Sequence, residues 1–134
     1  MAYTVLVVND SRYLRENLRE LLEKAGCEVV DTDNGISAVT LYTRIKPDLV
    51  MLDVLMPDQD GIETLKQILN IDKNANVVMV TDFGLENYLL EARELGASGC
   101  IIKPFKLKHL KKVLAGVLDE EFFYEDESSD YYHY

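Results

Sequence analysis

Short apolar runs alternate with stretches of helical periodicity five times over within residues 3–118, and this alternation constrains the fold more than any other feature. Tyr3-Thr-Val-Leu-Val-Val8 is a β-branched run of strand length, closed by Asn9-Asp10-Ser11, residue types that favour turns and helix caps. Leu14, Leu18, Leu21, Leu22 and Ala25 then recur at helical spacing until Gly26. Cys27–Val30 predicts a second strand, and Ile36, Val39, Tyr42 and Ile45 a second helix stopped at Pro47. Leu49–Leu52 is apolar throughout, as buried parallel strands are. A third helix follows from Gly61 through Ile62, Leu65, Ile68 and Leu69, then a strand over Val77–Val80. Leu85, Leu89, Ala92 and Leu95 mark the fourth helix, Gly99–Ile102 the fifth strand, and Leu107, Leu110, Val113, Leu114 and Val117 the fifth helix. Strict β-α alternation implies a doubly wound α/β domain, a five-stranded parallel sheet with helices on both faces.

At 134 residues there is room for one such domain, with a core large enough to need no disulfide or structural metal. Cys27 and Cys100, with only two histidines, form neither a disulfide framework nor a zinc constellation, which fits a reducing compartment. No apolar run approaches the roughly 20 residues of a membrane span, and the first nine residues are too short and uncharged for a secretory signal. The expectation is a soluble, cytoplasmic monomer. The formal charge of -10 argues against a nucleic-acid partner. Most of it lies in residues 119–134, where Asp119, Glu120, Glu121, Glu125, Asp126, Glu127 and Asp130 stand without a Lys or Arg.

In open parallel sheets a ligand site lies beyond the carboxyl ends of the strands. The residues there are Asn9 and Asp10, then Asp53, then Thr81 and Asp82, then Lys103-Pro104, from strands one, three, four and five. Clustered carboxylates repel unless a hard cation sits between them. Mg²⁺, which takes one or two carboxylates with waters and a phosphate, suits this set, and a lysine and a threonine opposite suit phosphoryl oxygens. Taken singly, Asp53 reads as a turn former, Lys103 as a solvated lysine, and Thr81 as a cap of the fourth helix. Their convergence points to chemistry. Asp60 and Gly61 read as turn residues that start the third helix.

Val-Val-Asn9-Asp10-Ser, Pro47-Asp-Leu-Val-Met-Leu-Asp53-Val-Leu-Met-Pro57-Asp-Gln-Asp60-Gly61, Val-Met-Val-Thr81 and Ile-Ile-Lys103-Pro104-Phe105 together resemble the receiver domain of two-component response regulators. Asn70–Asn76 and Glu91–Ala97 bring the likeness closest to the stand-alone, CheY-like chemotaxis type. The resemblance implies a flavodoxin-like (βα)5 fold with sheet order 2-1-3-4-5, which sets Cys27 and Cys100 at opposite edges. It implies a receiver domain over 1–118, followed by an acidic, aromatic tail over 119–134. By the family's pattern Asp53 is the phosphoacceptor, attacking a phosphohistidine of a histidine kinase or phosphotransfer protein. Asp10, Asp53 and the backbone carbonyl of Leu55 ligate Mg²⁺, Asn9 reaches it through water, and Thr81 and Lys103 hold the phosphoryl oxygens. The output is a changed affinity for a protein partner, with the flagellar motor switch a candidate, and not a turnover product.

Three positions depart from that pattern. Asn9 replaces an acid, which predicts weaker Mg²⁺ binding. Asp82 stands where the residue is usually small; either it repels the incoming phosphoryl group, or it faces solvent and caps the fourth helix. Cys100 replaces the family's switch aromatic, which predicts a coupling to the output face that is weaker or uses another element; by itself the cysteine reads as a small buried hydrophobe, with redox sensing the alternative. In the tail, Phe122, Phe123, Tyr124, Tyr131, Tyr132 and Tyr134 are half of the twelve aromatics. That segment either docks on a basic or apolar face, this protein's own lysine-rich fifth helix included, or is a disordered solubilising tail whose Phe122–Tyr124 extends that helix. A phosphorylation-independent receiver-like module is the alternative function. A dehalogenase-type phosphatase wants an acid at Leu55, and a flavodoxin wants a hydroxyl- and glycine-rich loop after the first strand, so both rank below it.

Overall fold

The computed structural model describes residues 2–124. The elements run β1 (Thr4–Val8), α1 (Arg12–Lys24), β2 (Glu28–Thr32), α2 (Gly35–Ile45), β3 (Leu49–Asp53), α3 (Gly61–Ile71), β4 (Val77–Thr81), α4 (Glu86–Leu95), β5 (Gly99–Ile102), α5 (Leu107–Val117) and α6 (Glu120–Tyr124). The five strands form one parallel sheet in the order β2-β1-β3-β4-β5. Cys27 therefore precedes one edge strand and Cys100 lies in the other, and both thiols are free.

Successive side chains of a strand point to opposite faces, and the core divides accordingly. Val5, Val7, Met51, Val78, Val80 and Ile101 pack on one face against Leu18 and Leu22 of α1 and Leu110 and Leu114 of α5. Leu6, Val8, Val50, Leu52 and Met79 pack on the other against Ala38, Leu65, Ile68 and Ala92 of α2, α3 and α4. β3 and β4, covered on both sides, are buried at every residue, which is why their sequences carry no polar alternation.

β2 starts one residue later and runs two further than the apolar pattern predicted, because Asp31 and Thr32 still pair with Val7 and Val8 of β1. Helices α1, α2 and α3 begin at side-chain caps: Ser11 accepts from Leu14 N–H, Asn34 from Ser37 N–H and Asp60 from Glu63 N–H. α4 does not. Its N-cap is Leu85, without a side-chain bond, after a β4–α4 loop that turns at Gly84 with φ +93°. Thr81 and Asp82 thus lie too far upstream to cap α4, contrary to one reading of each.

The chain also packs past Leu118. Asp119 caps α6 by accepting from the N–H groups of Glu121 and Phe122, and its other oxygen accepts from the Tyr3 hydroxyl at 3.3 Å. Phe123 is buried, and Tyr3, Phe122 and Phe123 form a ring cluster with centroids 4.8 to 5.8 Å apart. Phe122 and Phe123 therefore belong to a separate short helix joined to the α1/α5 side of the core, and do not prolong α5. Tail residues 125–134, with Tyr131, Tyr132 and Tyr134, lie outside the described residues.

Candidate functional site

Parallel strands end on one side of the sheet, so Val8, Asp53, Thr81 and Ile102 bring the residues that follow them to a common crevice. The strand order reverses between β1 and β3, and Asp53 and the Asn9-Asp10 turn flank that point.

Asp53 is the last residue of β3 and is only 7% exposed. Its Oδ1 lies 3.6 Å from Lys103 Nζ. Burial pushes the Asp53 carboxyl up to about 6, and the neighbouring Asp10 charge adds to this; the Lys103 ammonium and the Val54 N–H pull the other way. Asp53 is therefore ionised at neutral pH yet poorly solvated, as a nucleophilic carboxylate should be. Lys103 follows β5, joined to Pro104 by a cis peptide bond, and its N–H donates to the Thr81 carbonyl at 2.7 Å. The lysine backbone is thereby tied to the end of β4. Thr81 is buried, and its hydroxyl donates to the Asp82 carbonyl at 3.2 Å.

Asp82 itself is mostly solvated, its side chain 71% exposed, but one oxygen lies 3.9 Å from Lys103 Nζ. The ammonium thus sits between two carboxylates. Asp82 faces solvent as one reading had it, and shares the lysine with the buried acid.

The β1–α1 turn is tightly held. Asn9 is buried, and its Oδ1 accepts the Ser11 N–H at 2.9 Å, so the amide closes the turn that presents Asp10. Asp10 is exposed, and its carboxylate makes no hydrogen bond or ion pair with any described residue. The Leu55 carbonyl, in the loop after β3, accepts no hydrogen bond from a described residue either. A free carboxylate, a second carboxylate and a free carbonyl are hard oxygen donors that fit Mg²⁺. Among the described residues no group of three or more His, Cys, Asp or Glu side chains is placed to hold a metal.

Cys100 corrects the sequence reading: it is exposed. β5 is an edge strand whose Ile101 faces the α1/α5 core, and Cys100, pointing the other way, lines a cleft of about 460 Å³ with Leu89, Leu90 and Arg93 of α4. Burial instead marks Cys27, whose thiol is pushed up to about 11.

Gly61 has a part that the sequence did not disclose. A Cβ there would collide with the Asp53 carbonyl oxygen and crowd Val54, while the Gly61 N–H donates to the Val54 carbonyl at 2.7 Å. The missing side chain lets the start of α3 press against the backbone of Asp53. A glycine beside a cap residue is the only sequence signal, and it does not distinguish close approach from turn formation. Asp60 caps α3, as its turn reading implied.

Comparison with known proteins agrees with this geometry. The family model described as the response regulator receiver domain matches residues 5–115. The chain is 40% identical over 118 residues to the chemotaxis protein CheY of Halobacterium salinarum, covering 88% of this chain and 98% of that one. It is 36% identical over 120 residues to CheY of Bacillus subtilis, covering 89% and 100%. The solved structure of Vibrio cholerae chemotaxis protein CheY4 superposes with a TM-score of 0.83 at 30% identity, covering 88% of this chain and all of that one.

Proposed function

This chain belongs to the response regulator receiver family, and on that premise we propose that it is a phosphorylation-gated signalling protein whose acceptor is Asp53. What carries this reading is a buried, ionisable carboxylate 3.6 Å from a lysine, at the crevice where the strand order reverses. One Asp53 carboxylate oxygen attacks the phosphorus of a phosphohistidine on a kinase or phosphotransfer protein. The P–N bond breaks as the O–P bond forms, and the imidazole keeps the bonding pair and takes up a proton. Lys103, already paired with Asp53, moves its charge onto the phosphoryl oxygens, and the Thr81 hydroxyl has a short reorientation to make from the Asp82 carbonyl to the same group. Asp10, Asp53 and the Leu55 carbonyl would hold Mg²⁺, which would supply positive charge to offset that of the transferring group. Asn9 contributes no charge to that site and keeps the turn closed.

The new dianion beside Lys103 and Thr81 shifts the loops that follow β4 and β5, and the output is a changed affinity for a protein partner. The near end-to-end match to chemotaxis proteins favours a chemotaxis kinase as donor and the flagellar motor switch as target, in the cytoplasm and with the protein acting as a monomer. No helix among the described residues is long and apolar enough to cross a membrane. The protein is a signalling acceptor and not a turnover enzyme.

The test is the intact mass after incubation with phosphoramidate and Mg²⁺, quenched in acid, beside Asp53→Asn. The reading requires one added phosphoryl group on the native protein and none on the variant. No gain over a range of donor and Mg²⁺ concentrations would favour a receiver-like module that signals without phosphate, the reading to which Asn9, Asp82 and Cys100 would then point.

A further inference from the structure

We propose that Arg15, held by Asp31, is a positioning residue for the Asp10 carboxylate and acts through the backbone of the turn that carries it. The inference rests on the reading of Asp10 as a metal ligand. The Asn9 carbonyl and the Asp10 N–H share one rigid peptide plane, and Arg15 Nη1 donates to that carbonyl at 2.9 Å. The following plane, from Asp10 to Ser11, is pinned separately, because the Ser11 N–H donates to Asn9 Oδ1 at 2.9 Å. Asp10 thus sits between two fixed planes, and only its own side-chain torsions remain to be set. The Asn9 N–H adds a third tie by donating to the Thr32 carbonyl at 3.2 Å.

Arg15 is equipped to serve as an anchor. Its side chain is 16% exposed, with Nε 3.4 Å from Asp31 Oδ1. The second Asp31 oxygen takes Arg19 Nη2 at 2.7 Å, and Arg19 Nη1 donates to the Val29 carbonyl at 3.0 Å. Asp31 lies in β2 opposite Val7, so the chain of contacts runs from a sheet strand through two arginines to the peptide that orients Asp10. A planar guanidinium can bond a carbonyl and a carboxylate at once, which an ammonium does less well.

The sign of the effect separates positioning from plain charge. A cation near a metal site weakens metal binding by repulsion, so deleting Arg15 tightens Mg²⁺ if charge is its whole contribution. It loosens Mg²⁺ if Arg15 orients a ligand.

The experiment is an MgCl2 titration followed by backbone amide NMR, which also reports folding. It compares the native protein with Arg15→Met, Arg15→Lys, Asp31→Asn, Asp10→Asn and the Asp10→Asn/Arg15→Met pair. Arg15→Met is expected to raise the Mg²⁺ Kd about tenfold, the usual scale for residues that orient a metal ligand. Arg15→Lys should recover part of this, Asp31→Asn should lose several-fold, and Arg15→Met should add nothing once Asp10 is already Asn. Unchanged or tighter binding in a folded Arg15→Met protein overturns the proposal. Should Arg15→Met not fold, native-like affinity in Asp31→Asn overturns it equally. A native protein that binds no Mg²⁺ defeats the metal-ligand reading beneath the proposal, an outcome distinct from the other two.

Discussion

Asp53 sits at the end of an apolar strand with a proton affinity set mainly by burial, and this has a consequence for stability. Its ordinary value of 3.8 is raised to about 6 in the folded protein. Between those values the native state binds more protons than the unfolded chain, so stability falls as pH rises through this window and the loss is complete above about 6. In metal-free protein, Asp53→Asn removes the cost, and urea unfolding should find the variant more stable than native by about 3 kcal/mol at pH 7.5, the two converging below pH 4. Equal stability at both pH values would contradict the assigned burial cost. Asp82 gives a second prediction at this scale. Its exposed carboxylate shares Lys103 with Asp53, and under the proposed function its charge would oppose an incoming phosphoryl group. Asp82→Ala should accelerate phosphorylation by phosphoramidate roughly two- to fivefold at low salt, less at high salt, since exposed pairs contribute at most about 1 kcal/mol and are screened.

At the scale of the element, α3 is placed by an absence. Gly61→Ala drives a Cβ into the Asp53 carbonyl, and separating helix and strand should cost about 1–3 kcal/mol in urea unfolding while slowing phosphorylation. A variant as stable and as fast as native would remove Gly61 from the site. The elements themselves were largely legible. β1, β3 and β4 are runs too apolar for anything but a covered sheet, and Ser11, Asn34 and Asp60 announce the helices they cap. The start of α4 was not legible, because Leu85 offers no capping side chain and the loop before it turns on one glycine. The exposure of Cys100 was hidden for another reason. A four-residue strand has too few alternations to tell its faces apart, and which face α4 leaves open is a tertiary fact.

For the molecule as a whole, the sheet order and the converging strand ends followed from alternation and from the family resemblance together, since periodicity alone fixes the layers and not the order of strands. The attachment of residues 119–123 was obscured because Phe122 and Phe123 directly follow three acids and open a strongly acidic segment, a pattern that reads equally as solvated chain. Their packing against Tyr3 predicts that Phe123→Ala costs about 3 kcal/mol, and that truncation after Leu118 costs at least as much by thermal or urea unfolding. Unchanged stability on truncation would deny α6 its place in the core. The central claim is that one buried carboxylate accepts the phosphoryl group, and its most direct test is to trap the acceptor. After phosphoramidate treatment with Mg²⁺, borohydride reduces an acyl phosphate to an alcohol, and peptide mass mapping locates the converted residue. The account predicts homoserine at position 53 alone; conversion at another residue, or at none while Asp53 is intact and the protein folded, would contradict it.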